Sequence, residues 1–304
     1  MAVNILIKPK EKVNLTFSKL KEIAGKEFVY GHSNSPNYVF FDYEGEDITN
    51  VDIILYDPVK IGRGITVCAL EDGNIETLLN VPCTSNDVKN FFNVVKRLCN
   101  YCGVEEFIMD EESVVPVADI EELKGSIREW NTEVLGQYLE QNKEGTLIIF
   151  GGSNPVVMET DMRDKLLTLQ GAEMEKVFAD YINEKQQIDA YYMNPRFYRH
   201  GEDGILGAYA LTEGVVSIIP KSAYIPFNSG LPEEITSDNI DLWAVSLVVQ
   251  NGDEYEVAGY VNYADLIDNL PEESFTQYDN SHYLVKGLSR AEIDSLVSKL
   301  AIEI

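Results

Sequence analysis

The sequence is short of positive charge, of histidine and of long apolar runs. Its 304 residues include 24 lysines and arginines against 51 aspartates and glutamates, which gives a formal net charge of −27 at pH 7. Such a field repels phosphate backbones, and the chain shows no segregated basic face, so we expect no nucleic-acid partner. No apolar run approaches the ~18 residues of a membrane span, and no signal-peptide pattern occurs. We therefore expect a cytoplasmic protein without a membrane partner.

The common catalytic motifs are also missing. The chain contains only His32, His200 and His282, which leaves few parts for histidine-based catalysis. We expect His32 and His282 at the surface or in caps. No GxSxG elbow, HExxH helix, Walker loop or GxGxxG sequence occurs. Carboxylates are so numerous that a pair of them is uninformative. The sequence therefore leaves open whether the protein is an enzyme, and it predicts no cofactor.

The four cysteines, Cys68, Cys83, Cys99 and Cys102, lie within 35 residues of one another. Three of them fall on faces that the apolar pattern predicts to be buried. Cys99 and Cys102 have the spacing of a redox pair, but they lie at the end of a predicted helix, where the dipole does not lower a thiol pKa. We expect buried structural thiols, with a metal or redox role as the alternative.

The most clearly patterned stretch runs from Lys60 to Gly103 and predicts a β-hairpin followed by an amphipathic helix. Asp72-Gly73 predicts a two-residue type I′ turn between the strands, because this pair tolerates positive φ at both positions. Thr84 or Ser85 can cap the helix. Gly103 provides the stop signal.

A second hairpin and helix are predicted by Leu242–Gln250, Glu254–Asn262 and the segment after Asn262. With 45% hydrophobic residues the chain can build a sizeable core. We predict an α+β fold of two units, residues 1–145 and 146–304, each with a mixed or antiparallel sheet packed with helices. A divergent duplication would explain the repeated hairpin and helix, and coincidence is the alternative. An internal twofold axis would support duplication, and different strand orders in the two halves would exclude it.

Four short motifs in the first half carry a family resemblance. They are Arg63-Gly64-Ile65, Asp72-Gly73, the segment 78–82 ending in Pro82, and the helix segment 94–98. Together they resemble an uncharacterised bacterial family of acidic proteins of about 300 residues, a domain of unknown function. The proteins of that family have about the length of this chain, and the resemblance implies a bacterial, cytosolic origin. It carries no catalytic residues to transfer to this chain.

The most unusual local chemistry lies between positions 191 and 204, where two arginines and a histidine stand among four aromatic residues. Arg196, Tyr198, Arg199 and His200 are the candidate ligand-binding residues, because guanidinium groups and aromatic rings hold anions by paired hydrogen bonds and stacking. The alternative is that both arginines pair with the surplus carboxylates. A metal held by His200, Glu202 and Asp203 would require a loop that gathers all three.

Two functions from different classes follow. The preferred interpretation is a non-catalytic protein that binds a protein partner, with a basic partner favoured because the acidic surface would attract it. The alternative is a small-molecule-binding protein or enzyme that takes an anionic ligand near Arg196–His200. The sequence does not predict the oligomeric state.

Overall fold

A computed structural model describes residues 1–201 and 204–304. These residues form seven α-helices and nineteen β-strands, so the predicted α+β class is confirmed. The chain divides into two compact units. The first contains Met1–Asn34 and Tyr38–Gln187, and the second contains Ser35–Asn37 and Ile188–Ile304. None of the helices in the described ranges is long and apolar enough to cross a membrane.

The first unit contains ten strands and five helices. The strands are β1 (Ala2–Ile7), β2 (Val29–His32), β3 (Phe41–Asp42), β4 (Ile53–Tyr56), β5 (Ile65–Ala69), β6 (Ile75–Asn80), β7 (Glu106–Met109), β8 (Ser113–Pro116), β9 (Ile148–Phe150) and β10 (Pro155–Val157). The helices are α1 (Phe17–Ala24), α2 (Ser85–Cys102), α3 (Ile120–Gln141), α4 (Thr160–Leu167) and α5 (Gly171–Gln186).

Eight of these strands form one antiparallel sheet in the order β3-β2-β4-β5-β6-β1-β7-β8. Its central strands alternate in burial, because successive side chains of a strand point to opposite faces. Helix α2 packs on the buried face against β1, β5 and β6. Its apolar stripe, which includes Phe91, Phe92, Val95 and Leu98, is fully buried there.

The predicted hairpin and helix of this unit are confirmed, but the turn differs from the prediction. The hairpin loop runs through Glu71, Asp72 and Gly73, since the Leu70 amide donates to the Asn74 carbonyl at 2.8 Å. Only Gly73 of these three has positive φ, at 87°. The Asp72 carboxylate accepts the Asn74 amide at 2.9 Å and stabilises a loop of three residues. The type I′ prediction is therefore wrong.

Helix α2 begins with a capping box that reaches beyond the helix. Thr84 is the cap residue, and its hydroxyl accepts the Asp87 amide while Asp87 Oδ2 accepts the Thr84 amide at 2.9 Å. The same carboxylate also accepts the amides of Arg63 at 3.0 Å and Gly64 at 3.2 Å. Burial raises the pKa of Asp87, and these hydrogen bonds oppose that effect. One buried side chain thus joins the start of α2 to the segment before β5.

The first unit extends beyond the boundary that the sequence suggested at residue 145. The strands β9 and β10 and the helices α4 and α5 form a second apolar cluster with the end of α3. Leu135 and Leu139 of α3 are buried in this cluster, whereas Ile120 and Val134 of the same helix belong to the sheet core. Because α3 contributes to both clusters, the chain up to Gln187 stays in one unit.

The second unit contains nine strands and two helices. The strands are β11 (Tyr191–Tyr192), β12 (Arg196–His200), β13 (Gly204–Thr212), β14 (Ser217–Pro220), β15 (Leu242–Asn251), β16 (Glu254–Asn262), β17 (Phe275–Gln277), β18 (His282–Val285) and β19 (Ala301–Ile302). The helices are α6 (Tyr263–Asn269) and α7 (Arg290–Leu300). The nine strands form two mixed sheets, in the orders β11-β14-β18-β17 and β12-β13-β15-β16-β19.

The five-stranded sheet has one face covered by α6 and α7. Tyr209, Val245 and Leu247 on that face belong to a cluster with Leu266 of α6 and Ile293 of α7. A glycine fixes the packing at the edge of this face. Gly207 pairs with Phe197 on one side and Trp243 on the other, and a Cβ at position 207 would lie 2.3 Å from the indole. The indole reaches Phe197, with the ring centroids 5.9 Å apart.

The strand orders of the two units differ. The hairpin β5–β6 is central in an antiparallel sheet, whereas β15 of the second hairpin pairs in parallel with β13. The topology therefore gives the duplication hypothesis no support. What recurs is a hairpin followed by a capped helix, a combination that local signals specify by themselves.

Replacing Asp87 by alanine should destabilise the first unit. The change leaves three buried backbone N–H groups without their acceptor, and we expect a loss of about 2–4 kcal/mol in the free energy of unfolding. Urea denaturation followed by circular dichroism measures it. Asp119→Ala is the matched control, because Asp119 precedes α3 and makes no capping hydrogen bond with the described residues of that helix. Equal stability of the two variants would contradict the role assigned to Asp87.

Candidate functional site

The four candidate ligand-binding residues lie on one strand, β12, and do not converge on one point. Side chains alternate along a strand, so Arg196, Tyr198 and His200 share one face while Arg199 lies on the other. The sequence pattern predicted an island of positive charge in this segment and did not predict a strand. The segment pairs with β13 along its whole length, from His200 opposite Gly204 to Arg196 opposite Ala208. Because its side chains then alternate, the positive residues are divided between the two faces of the sheet.

Arg196 and Tyr198 line a cavity of about 500 Å³ on the side of the five-stranded sheet away from α6 and α7. We call it the Arg196 cavity. Its positive charge comes from Arg196, and hydroxyl groups come from Tyr198, Ser246 and Tyr260. Apolar side chains fill the remaining wall, among them Leu206, Val248 and Val257. Neither Arg199 nor His200 belongs to this lining.

A buried hydrogen-bonded chain lies in the same unit. Tyr192 Oη is 2.8 Å from His282 Nε2, and His282 Nδ1 is 2.8 Å from Asp279 Oδ1. Both ring nitrogens of His282 therefore have a polar partner, the carboxylate on one side and the tyrosine hydroxyl on the other. Asp279 and His282 are 0% and 1% exposed. His282 is therefore a core residue, and its expected surface position was wrong.

The chain continues from Tyr192 to the Arg196 cavity. Tyr192 shares a hydrogen bond with Tyr224, whose hydroxyl accepts Asn37 Nδ2 at 2.7 Å. The same amide nitrogen of Asn37 donates to Asn194 Oδ1 at 2.9 Å. Asn194 is itself part of the cavity lining. A continuous polar path thus joins buried Asp279 to the cavity wall.

This path orients groups and does not present a reactive one. Burial raises the pKa of Tyr192 well above its usual value, and it also raises the pKa of Tyr224. Both hydroxyls stay protonated at neutral pH and act as fixed dipoles. The Asp279–His282 spacing of three residues was the available sequence signal, but nothing local identifies Tyr192, 90 residues away, as the third member.

All four thiols are free, and Cys68, Cys83 and Cys99 are buried in the first unit. Burial raises the pKa of Cys68 and Cys102 to about 11 and that of Cys99 to about 12. Asn131 binds the backbone of Cys83, accepting its amide at 2.8 Å and donating to its carbonyl at 2.9 Å. These surroundings keep the thiols protonated, as structural cysteines require.

No group of three or more metal-ligating side chains is found in the two described ranges, 1–201 and 204–304. The hypothetical metal site that combined His200 with Glu202 and Asp203 includes two residues outside those ranges.

Comparison with known proteins defines the class and the family of the chain. The fold is α+β throughout both units. The family model described as "Domain of unknown function (DUF4299)" matches residues 2–296, and the chain belongs to this family. The predicted membership of an uncharacterised family of about 300 residues is thus confirmed. No curated protein and no solved structure matches the chain significantly.

Replacing Tyr192 by phenylalanine should destabilise the second unit. The change leaves Nε2 of the buried His282 without its hydrogen-bond partner, and we expect a loss of about 1–3 kcal/mol in the free energy of unfolding. Thermal and urea unfolding measure it. Tyr255→Phe is the matched control, because Tyr255 is 62% exposed and its hydroxyl can bond to water. A neutral Tyr192→Phe variant would show that the polar path does not stabilise the fold.

The thiols should react slowly in the folded protein. At pH 7.5 we expect iodoacetamide to modify Cys102 before the other three, because Cys102 is the half-buried thiol and the others are buried. In urea all four should react at similar rates. Mass spectrometry of timed samples measures this order. Fast labelling of Cys83 in the native protein would contradict the packing around Asn131.

Proposed function

We propose that the protein binds a basic protein partner through one face of the five-stranded sheet. We call this surface the open face. It carries Arg196 and Tyr198 of β12, Ser246 and Val248 of β15, and Tyr255, Val257 and Tyr260 of β16.

The observation that carries the proposal is the exposure of large side chains on this face. Tyr198 is 50% exposed, Tyr255 is 62% exposed and Val257 is 47% exposed. Tyr198 and Val257 also border the concave Arg196 cavity. Tyrosine is enriched at the centres of protein interfaces, where its ring is buried and its hydroxyl finds a partner. An aromatic surface beside a depression suits a partner that inserts a side chain.

The charge of the second unit favours a basic partner. Positions 188–304 contain 19 acidic residues and six basic ones. A field of this sign accelerates the approach of a positively charged protein and disfavours an acidic one or a nucleic acid. The exposed rings would then provide the short-range binding energy, while the carboxylates would provide the selection of partner.

We further propose that the protein acts in the cytoplasm of a bacterium. Free, protonated thiols are typical of a reducing compartment. The motifs that resemble a bacterial family support the bacterial source.

The alternative function is the binding of a small anionic ligand, or catalysis on one, at the Arg196 cavity. Its support is the guanidinium of Arg196 beside the hydroxyls of Tyr198 and Tyr260. Asn194, held at the end of the buried polar path, would contribute a preoriented amide. In this function the cavity would be filled by the ligand.

A capture experiment separates the two functions. Tagged protein is used to capture partners from a bacterial lysate at low salt, and the captured proteins are eluted at raised salt. The proposal requires a basic protein that binds the purified chain, with an affinity that falls about tenfold or more in the double variant Tyr198→Ala with Val257→Ser. Mass spectrometry of the denatured starting protein identifies any retained anionic metabolite.

The matched control is Tyr101→Ala with Val114→Ser, which removes an exposed ring and an exposed valine from the first unit. This control should bind the partner normally. A partner that binds both double variants equally would exclude the open face. A retained anionic metabolite that is lost in Arg196→Ala, with no protein captured, would establish the alternative.

A further inference from the structure

A concentration of positive charge lies in the first unit, around a cavity of about 900 Å³. Its walls come from the segment 59–61, the start of α2, the first half of α3 and the exposed side of α5. Asn183 of α5 accepts the Ile61 amide at 2.7 Å, and Asn86 of α2 donates to the Lys60 carbonyl at 3.3 Å. These bonds fix the segment 59–61 against both helices. We call this space the Lys60 cavity.

Five of the 24 lysines and arginines of the chain line this cavity, compared with only two carboxylates in the same lining. The sign is opposite to that of the whole protein. The cations come from four different segments, so no single amphipathic pattern explains their meeting. They are Lys60, Lys89, Lys124, Arg128 and Lys176.

Two of these cations have no competing partner. Neither the Lys60 nor the Lys89 ammonium forms an ion pair or a hydrogen bond with any residue of the described ranges. Lys124 pairs with Glu121 at 3.0 Å, and Lys176 pairs with Asp180. Such pairs near the surface contribute little free energy and can be replaced by a ligand.

Arg128 is held by a buried carboxylate. Its Nε and Nη2 groups both bond to Glu175, with Nη2 2.6 Å from Oε2. Glu175 is 3% exposed, whereas the Arg128 side chain is 53% exposed. The pair thus fixes the direction of the guanidinium at the cavity wall. The remaining Nη1 donors form no hydrogen bond with a described residue.

The start of α2 adds to the positive potential. Thr84, Ser85 and Asn86 belong to the cavity lining, and the first amides of a helix carry partial positive charge. The carboxylate of Asp87, in the first turn of α2, accepts four hydrogen bonds from Thr84, Arg63 and Gly64 and does not line the cavity.

We propose that the Lys60 cavity binds a small anion that carries two or more phosphate groups. Convergent ammonium and guanidinium groups at a helix start match phosphate oxygens in charge and in hydrogen-bonding capacity. The volume lies within the range of sites for small molecules and exceeds the needs of a single phosphate. A nucleic-acid strand is disfavoured, because it must continue beyond the cavity across a surface with a large excess of carboxylates.

Isothermal titration calorimetry with inorganic tripolyphosphate tests the proposal. We expect binding that weakens with rising salt. The affinity should fall about tenfold for each lysine removed, in Lys60→Ala, in Lys89→Ala and in the double variant that combines them. Lys8→Ala with Lys26→Ala is the matched control, since both residues are exposed and neither lines the cavity. The control should retain normal affinity although it loses the same charge. Equal loss in both double variants, or no binding at all, would overturn the proposal.

Glu175→Gln should raise the affinity for tripolyphosphate, whereas the lysine variants lower it. The change removes one of the two carboxylates and leaves an oxygen that can still accept from Arg128, so affinity for tripolyphosphate should rise about threefold. A folded Glu175→Gln variant that binds more weakly would overturn the assigned orientation of Arg128. If this variant does not fold, the lysine variants still decide the proposal. Binding of a single-stranded oligonucleotide as tight as that of tripolyphosphate, per phosphate, would also overturn it.

Discussion

The buried carboxylate of Asp87 is the interaction on which the first unit depends. It completes the capping box of α2 and binds the amides of Arg63 and Gly64 just before β5. A hairpin and a helix can pack together in several registers when only apolar contacts hold them. Four directional hydrogen bonds to one desolvated group select a single arrangement. The same contact positions the beginning of α2, which forms part of the Lys60 cavity.

The sequence predicted local structure well where the signal was local. The hairpin of β5 and β6, the amphipathic helix α2, its cap at Thr84 and its stop at Gly103 each rest on signals within a few residues, and each is present. The turn at Asp72-Gly73 was wrong because the Asp72 side chain favours a longer loop. The strand β12 was missed because its residues show no apolar alternation, and only pairing with β13 makes it extended.

Features that require distant residues could not be predicted. The path from Asp279 to Asn194 joins residues up to about 240 positions apart, and no periodic sequence pattern predicts it. The compact units divide after Gln187, because α3 packs into two clusters at once and keeps the chain beyond Gly145 in the first unit. The Lys60 cavity assembles cations separated by more than 100 positions. Each of these lysines, taken alone, looks like a solvated surface residue.

The contact between Gly207 and Trp243 has a consequence for how the family can vary. The indole occupies the space that any side chain at position 207 would need, and it bridges the parallel pair β13–β15 to Phe197 of the edge strand. A residue larger than glycine is compatible with this strand arrangement only if the partner at 243 becomes smaller. The two positions are therefore expected to change together among relatives. Their joint identity would mark which relatives keep the edge strand that carries Arg196 and Tyr198.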